Sequence, residues 1–160
     1  ASLTGHLVLS TLHTNDAPST ITRLINMGLK PYLITAALVA IISQRLVKKI
    51  CPDCKEQYTP DNDILYELNL HDHDLQDKQF YIGRGCSSCN RTGYKGRMSI
   101  IEIMSVDEEM CSHIIKQSST ETIREIARSN GMSTLLESGL NAVYSGLTTL
   151  EEVARETSVN

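Results

Sequence analysis

Two C-x-x-C pairs, Cys51-Pro52-Asp53-Cys54 and Cys86-Ser87-Ser88-Cys89, constrain this chain more than any other stretch. Residues 55 to 85, 31 in all, separate them. Each pair can grip one edge of a tetrahedron, and the connection between them can wander because a bound ion closes it. That is the pattern of a structural Zn2+ site made of four thiolates. Gly83-Arg84-Gly85 leads into the second pair and Asn90-Arg91-Thr92-Gly93 leaves it, so the backbone there can turn tightly and aim amide groups at sulfur. Four thiolates around one Zn2+ carry a formal charge of about −2. Eight of the fifteen basic residues (Arg45, Lys48, Lys49, Lys55, Arg84, Arg91, Lys95 and Arg97) lie close by in sequence and can offset it. The expectation is structural zinc on Cys51, Cys54, Cys86 and Cys89.

Other uses of the same thiols fit less well. Two disulfides would suit an oxidising compartment, but nothing here resembles a signal peptide. A thioredoxin-like redox pair needs a strand-to-helix setting and one reactive C-x-x-C, not two matched ones. Catalytic zinc keeps a position open for water, and four cysteines leave none. Cys111 falls on a helical pattern and reads as a small apolar packing residue.

The 160 residues are 41% hydrophobic and 21% charged, enough for one ordinary domain or two small ones. Trp is absent and Phe80 is the single phenylalanine, so any core is aliphatic. A net charge of −4 argues against a general nucleic-acid binder. The longest apolar run, Ala36 to Ile42, is far short of the roughly 20 residues that cross a bilayer. The composition is that of a cytoplasmic chain with no direct membrane insertion.

Along the chain, residues 6–12 (His6-Leu7-Val8-Leu9-Ser10-Thr11-Leu12) predict a buried strand, ending in the polar turn His13-Thr14-Asn15-Asp16. Such a strand has no neighbour to pair with before the helices begin, so the chain is expected to be the C-terminal part of something longer. His6 and His13 are seven apart, and a regular strand would point them to opposite faces. Asp16 can cap a helix that carries Pro18 in its first turn and stops at Gly28, with Ile21, Leu24 and Ile25 inward. Pro31 opens a second predicted helix, apolar all round to Ile42 and basic at Arg45, Lys48 and Lys49. Between the cysteine pairs, Asp61 to Leu70 predicts a short helix, His71-Asp72-His73-Asp74 a solvated loop, and Gln79 to Ile82 a short strand. Arg97 to Met104 is a second strand. From Asp107 onward four short amphipathic helices are expected to form a small bundle, the last opened by a capping-box pattern at Thr148-Thr149-Leu150-Glu151.

With these residues in hand, the chain resembles the C-terminal part of the secretion ATPases of type II secretion and type IV pilus assembly. The resemblance rests on Thr4 to Ala17 (the His box of that family), Arg23-Leu24, Gln44-Arg45-Leu46-Val47, the four cysteines, Gly93-Tyr94-Lys95-Gly96-Arg97 and Gly146 to Val153. It implies an α/β remnant of a RecA-like P-loop ATPase core over residues 1–49, a tetracysteine zinc module over 50–97, and a return strand with a C-terminal helical domain over 98–160. It further implies a homo-hexamer in the parent protein, ATP and Mg2+ as that protein's cofactors, and partners in an inner-membrane platform and its linker proteins. His6 and His13 would face the γ-phosphate side of the nucleotide site. Arg97 would fold back toward the nucleotide, and Arg23 would serve there or as a structural ion-pair partner.

The departures matter as much. No G-x-x-x-x-G-K-[ST] occurs in the 160 residues, and the acidic magnesium-binding segment that precedes the His box in that family is also missing. This chain by itself is therefore expected not to hydrolyse ATP. The competing reading is a free-standing zinc-ribbon module that binds a protein or nucleic acid through its basic flanks, though aromatics for base stacking are scarce. A thiol redox protein is the third. If zinc holds the module together, its removal is expected to loosen Ile50 to Arg97 and to spare the C-terminal helices.

Overall fold

The computed structural model describes residues 1–71, 75 and 77–157. The chain is mixed α/β. In order come α1 (Ala17–Asn26), α2 (Pro31–Ala37), β1 (Ala40–Ile50), β2 (Lys55–Tyr58), α3 (Asn62–Glu67), β3 (Phe80–Gly83) and β4 (Tyr94–Ser105). They are followed by α4 (Glu108–Ile115), α5 (Thr120–Ser129), α6 (Leu135–Tyr144) and α7 (Leu150–Thr157). Two compact units result, each assembled from two stretches: residues 1–43 with 101–134, and residues 44–100 with 135–160. The long strands β1 and β4 pair with each other and run from one unit into the other. Val106 N–H donates to the Val39 carbonyl beyond one end, and Cys51 N–H to the Gly93 carbonyl beyond the other, so the pair is antiparallel.

In the first unit, the Asp16 carboxylate accepts the Ser19 N–H at 2.8 Å and sets the start of α1, with Pro18 in the first turn. Ile21 is buried, and Leu24 and Ile25 pack against the same cluster as Ile34, Met104, Met110 and Ile123. Asp107 caps α4 through the Met110 N–H and Ser119 caps α5 through the Thr122 N–H. On β4 the side chains alternate: Ile100, Glu102 and Met104 are buried while Ile101 and Ile103 are exposed. That is the period-2 pattern of a strand with one face inward.

Two sequence expectations fail in this unit. Residues 6–12 form no strand; they have no regular structure and every one is exposed. A strand is held by its neighbours' amides, and among the described residues none pairs with this segment. The helix from Pro31 stops at Ala37, with Leu38 already extended, and β1 begins two residues later. The all-round apolar run mixes a helical Leu33-Ile34 with the β-branched Val39, Ile41 and Ile42, which fit a pleated surface. Arg45, Lys48 and Lys49 therefore lie on a strand and not in a last helical turn.

In the second unit β2 and β3 form an antiparallel ladder from Lys55↔Gly83 to Tyr58↔Phe80. The core gathers Leu68 and Phe80 with Val143, Leu150, Val153 and Ala154, and the Phe80 ring meets Tyr144 edge to face at 6.0 Å. The four helices after β4 thus divide: α4 and α5 share a core with α1 and α2, whereas α6 and α7 share one with Phe80. The loop before α7 lies along β1, where the Thr148 hydroxyl donates to the Lys48 carbonyl and Ile50 N–H to the Leu147 carbonyl. The cap of α7 is Thr149, which accepts the Glu152 N–H, one residue later than the capping-box pattern places it. The Glu152 side chain turns away to accept the backbone N–H of Lys48 at 3.0 Å, its ammonium at 3.3 Å and Arg155 at 2.6 Å. The predicted loop at His71-Asp72-His73-Asp74 falls mostly outside the described residues.

Burial pushes the Glu152 carboxyl up, but the Lys48 and Arg155 donors outweigh it and hold the group below its ordinary 4.5. A depressed folded-state value means the stabilisation is present above pH 4.5 and disappears as pH falls through the folded-state value. Glu152→Gln should therefore cost about 2 kcal/mol at neutral pH, and the difference from wild type should shrink to nothing in acid. Urea melts from pH 7 down to 3 measure this; a pH-independent difference would contradict it.

Candidate metal centre

The ladder of β2 and β3 ends where the two cysteine pairs begin. Cys54 directly precedes Lys55 of β2, and Arg84 N–H donates to the Cys54 carbonyl at 3.1 Å just after β3. Each pair sits on a short 3-10 turn, Pro52–Cys54 and Ser87–Cys89. After the second turn Asn90 and Arg91 both take positive φ, which reverses the chain and returns Arg91 N–H to the Cys86 carbonyl at 2.8 Å. The returning Gly93 backbone lies against Gly83 so closely that a Cβ on either would overlap the other's carbonyl oxygen. Only two glycines permit this approach, which brings Cys51 beside Cys86.

The four sulfurs lie within 4.8 Å of one another. Three separations are resolved: Cys51 to Cys86 at 3.9 Å, Cys54 to Cys89 at 3.9 Å, and Cys86 to Cys89 at 3.7 Å. A regular tetrahedron with metal–sulfur bonds of about 2.3 Å has edges of about 3.8 Å. A disulfide needs about 2.05 Å, and all four thiols are free. Three backbone donors point at sulfur: Gly85 N–H to Cys54 at 3.3 Å, and Cys86 and Gly93 N–H to Cys89 at 3.2 and 3.3 Å. The glycines beside the second pair do aim amides at the site. The donor set fits a soft divalent ion in a closed tetrahedral shell.

Electrostatics set the terms of loading. Burial pushes the Cys51 thiol up and the Cys54 thiol up to about 12. The Cys86 N–H, helped by Gly93 N–H, pulls Cys89 down to about 6. The nearby cations contribute less than their number suggests, because several are already engaged. Lys48 binds Glu152, Arg84 pairs with Glu56, Lys95 pairs with Asp53 at 3.7 Å, and the Lys55 ammonium sits 4.2 Å over the Tyr81 ring.

The remaining candidates do not gather at this cluster. His6 is exposed, its Nδ1 3.1 Å from the Thr4 hydroxyl, and His13 is exposed before the cap of α1; both belong to the first unit. Arg23 is exposed on α1. Arg97 is exposed on β4, where it lines an open recess of about 690 Å³ with Lys48, Thr92, Tyr94 and Gly96. Cys111 is half-buried on α4. Sequence reasoning missed Glu102 and Glu152, two carboxylates at 3% exposure. For Glu102 the available signal was an acidic residue at an inward position of an alternating strand.

Four-thiolate ligation must expel the protons the thiols carry, Cys51 and Cys54 above all, so apparent affinity should fall by more than about 100-fold per pH unit below neutrality. Titration against a chromophoric chelator from pH 8 to 6 reads that slope, and a flat profile would exclude thiolate ligation. Stripping the metal should remove hydrogen-exchange protection from residues 50–97. The core shared with Phe80 should extend the loss to α6 and α7, while α4 and α5, in the other core, should keep their protection.

Among the described residues no helix is long and apolar enough to cross a membrane. A model of the family described as Type II/IV secretion system protein matches residues 1–155. The type IV pilus assembly ATPase PilB of Thermus thermophilus is 49% identical over 157 residues, covering 98% of this chain and 18% of that protein. PilB of Myxococcus xanthus is 43% identical over 159 residues, covering 99% of this chain and 28% of its own length. Type II secretion system protein E of Pseudomonas aeruginosa is 42% identical over 157 residues, covering 98% and 31%. The chain spans less than a third of the length of these curated relatives. Its sequence from residue 1 to 155, four-sulfur cluster included, belongs to the type II/IV secretion system protein family.

Proposed function

We propose that this chain is the zinc-bearing C-terminal part of a hexameric cytoplasmic ATPase that powers type II secretion or type IV pilus assembly. In that reading the parent works against an inner-membrane platform and its linker proteins. The observation that carries it is the unbroken family match over residues 1–155, which takes in His6, His13 and the cysteine cluster together. Cys51, Cys54, Cys86 and Cys89 would hold Zn2+, which closes residues 50–97 into a folded module without taking part in chemistry. The exposed imidazoles of His6 and His13 would approach the terminal phosphate of a nucleotide bound elsewhere in the parent, and Arg97 would add a cation.

Phosphate binding is what this stretch does not supply. The 160 residues contain no phosphate-binding loop, so no step of hydrolysis follows from this chain alone. The purified chain should carry one equivalent of zinc, turn over no ATP and bind it no more tightly than millimolar. The parent gene should encode a G-x-x-x-x-G-K-[ST] segment upstream, and its product should hydrolyse ATP. Turnover by the 160-residue chain, or a gene without that segment, would overturn the motor reading and leave a zinc-ribbon interaction module in its place.

A further inference from the structure

We infer that Glu102 and Arg124 are positioning residues for His13, pinning from two directions the turn from which that imidazole projects. The inference rests on the motor reading for its functional consequence, though not for its geometry. Residues 6–13 are exposed and without regular structure, but order begins immediately afterwards. The Thr14 hydroxyl lies 2.8 Å from that of Thr20 on α1. Asp16 Oδ1 accepts the Ser19 N–H, and Asp16 Oδ2 accepts Arg124 Nη2 at 2.7 Å from α5. Burial pushes the Asp16 carboxyl up, yet the Ser19 and Arg124 bonds prevail and keep it below its ordinary value. One residue later, Glu102 Oε1 accepts the backbone N–H of Ala17 at 2.7 Å.

That last contact is not what capping alone requires. A helix cap satisfies the N–H groups of the second or third helical residue, and the first usually faces water. Here Ala17 is fully buried, Pro18 has no N–H, and Ser19 is taken by Asp16. The orphaned Ala17 donor is met by a carboxylate from a strand 85 residues downstream, itself only 3% exposed. A buried carboxylate is a costly acceptor where a polar neutral group or a water would serve. Its charge strengthens that bond at the positive end of α1. With Glu102 holding Ala17 and Arg124 holding Asp16, the chain at the start of α1 is fixed from outside that helix, three residues from His13.

Two variants of the 160-residue chain test the geometry. Glu102→Leu removes the acceptor and keeps an apolar filling, while Glu102→Gln keeps an acceptor oxygen. Glu102→Leu should speed exchange of the Ala17 amide at least ten-fold and shift or broaden the His13 ring resonances, with α4 amides unmoved; Glu102→Gln should restore most of both. Arg124→Ala, from a half-exposed site, should alter the His13 resonances without unfolding the unit. Unchanged Ala17 exchange and His13 resonances in folded Glu102→Leu and Arg124→Ala would overturn the clamp. In the parent ATPase the same two substitutions should lower kcat about ten-fold and leave KM within two-fold. If they loosen His13 while His13→Ala leaves hydrolysis at the wild-type rate, the clamp stands and the motor role of His13 falls. A kcat loss with no change at His13 would sink the positioning role itself.

Discussion

The second unit depends on an approach of two backbones that only glycine allows. Gly83 closes β3 and Gly93 follows the second cysteine pair, and where they touch, four sulfurs come within 4.8 Å of one another. Nothing about the short ladder of β2 and β3 is stable by itself, since each strand has four residues and a lone hairpin is marginal in water. Two things supplement it. One is the sulfur cluster, whose spacing matches the edge of a metal-centred tetrahedron. The other is the apolar contact of Phe80 with α6 and α7, which lets the hairpin borrow a core from residues more than fifty positions away.

Buried carboxylates tie distant segments together in both units. Glu152 reaches from α7 to the backbone and side chain of Lys48, and Glu102 reaches from β4 to the first amide of α1. In each case the carboxylate accepts a main-chain N–H, and a buried donor left unmet costs more than a typical hydrogen bond contributes. Partners elsewhere explain why neighbouring cations do less for the sulfur cluster than their number suggests. Lys48 is committed to Glu152, and Lys55, Arg84 and Lys95 are committed to Tyr81, Glu56 and Asp53.

Local chemistry was legible where a residue acts on its own neighbours. Asp16, Pro18 and Gly28 bound α1 as their types demand, and Asp107 and Ser119 cap the helices that follow. The alternation from Ile100 to Met104 marked β4, and the paired C-x-x-C spacing marked the sulfur cluster. Where an element depends on partners, the pattern misled. His6 to Leu12 has the composition of a strand but meets no strand among the described residues. Leu33 to Ile42 has the apolarity of a buried helix but divides at Leu38 into a helix and a strand. Hydrophobic periodicity does not distinguish the two when every position is apolar.

The sequence by itself marked the four clustered cysteines, the caps of α1, α4 and α5, and the family, because each is carried by residue type at fixed spacing along the chain. Tertiary structure alone decided that the last four helices part into two cores, that Glu102 answers to Ala17 and Glu152 to Lys48, and that Gly83 meets Gly93. Those pairings join residues from 10 to 104 positions apart. No local rule specifies such partners, since they are chosen by which buried donors and apolar faces remain unsatisfied once the strands have paired.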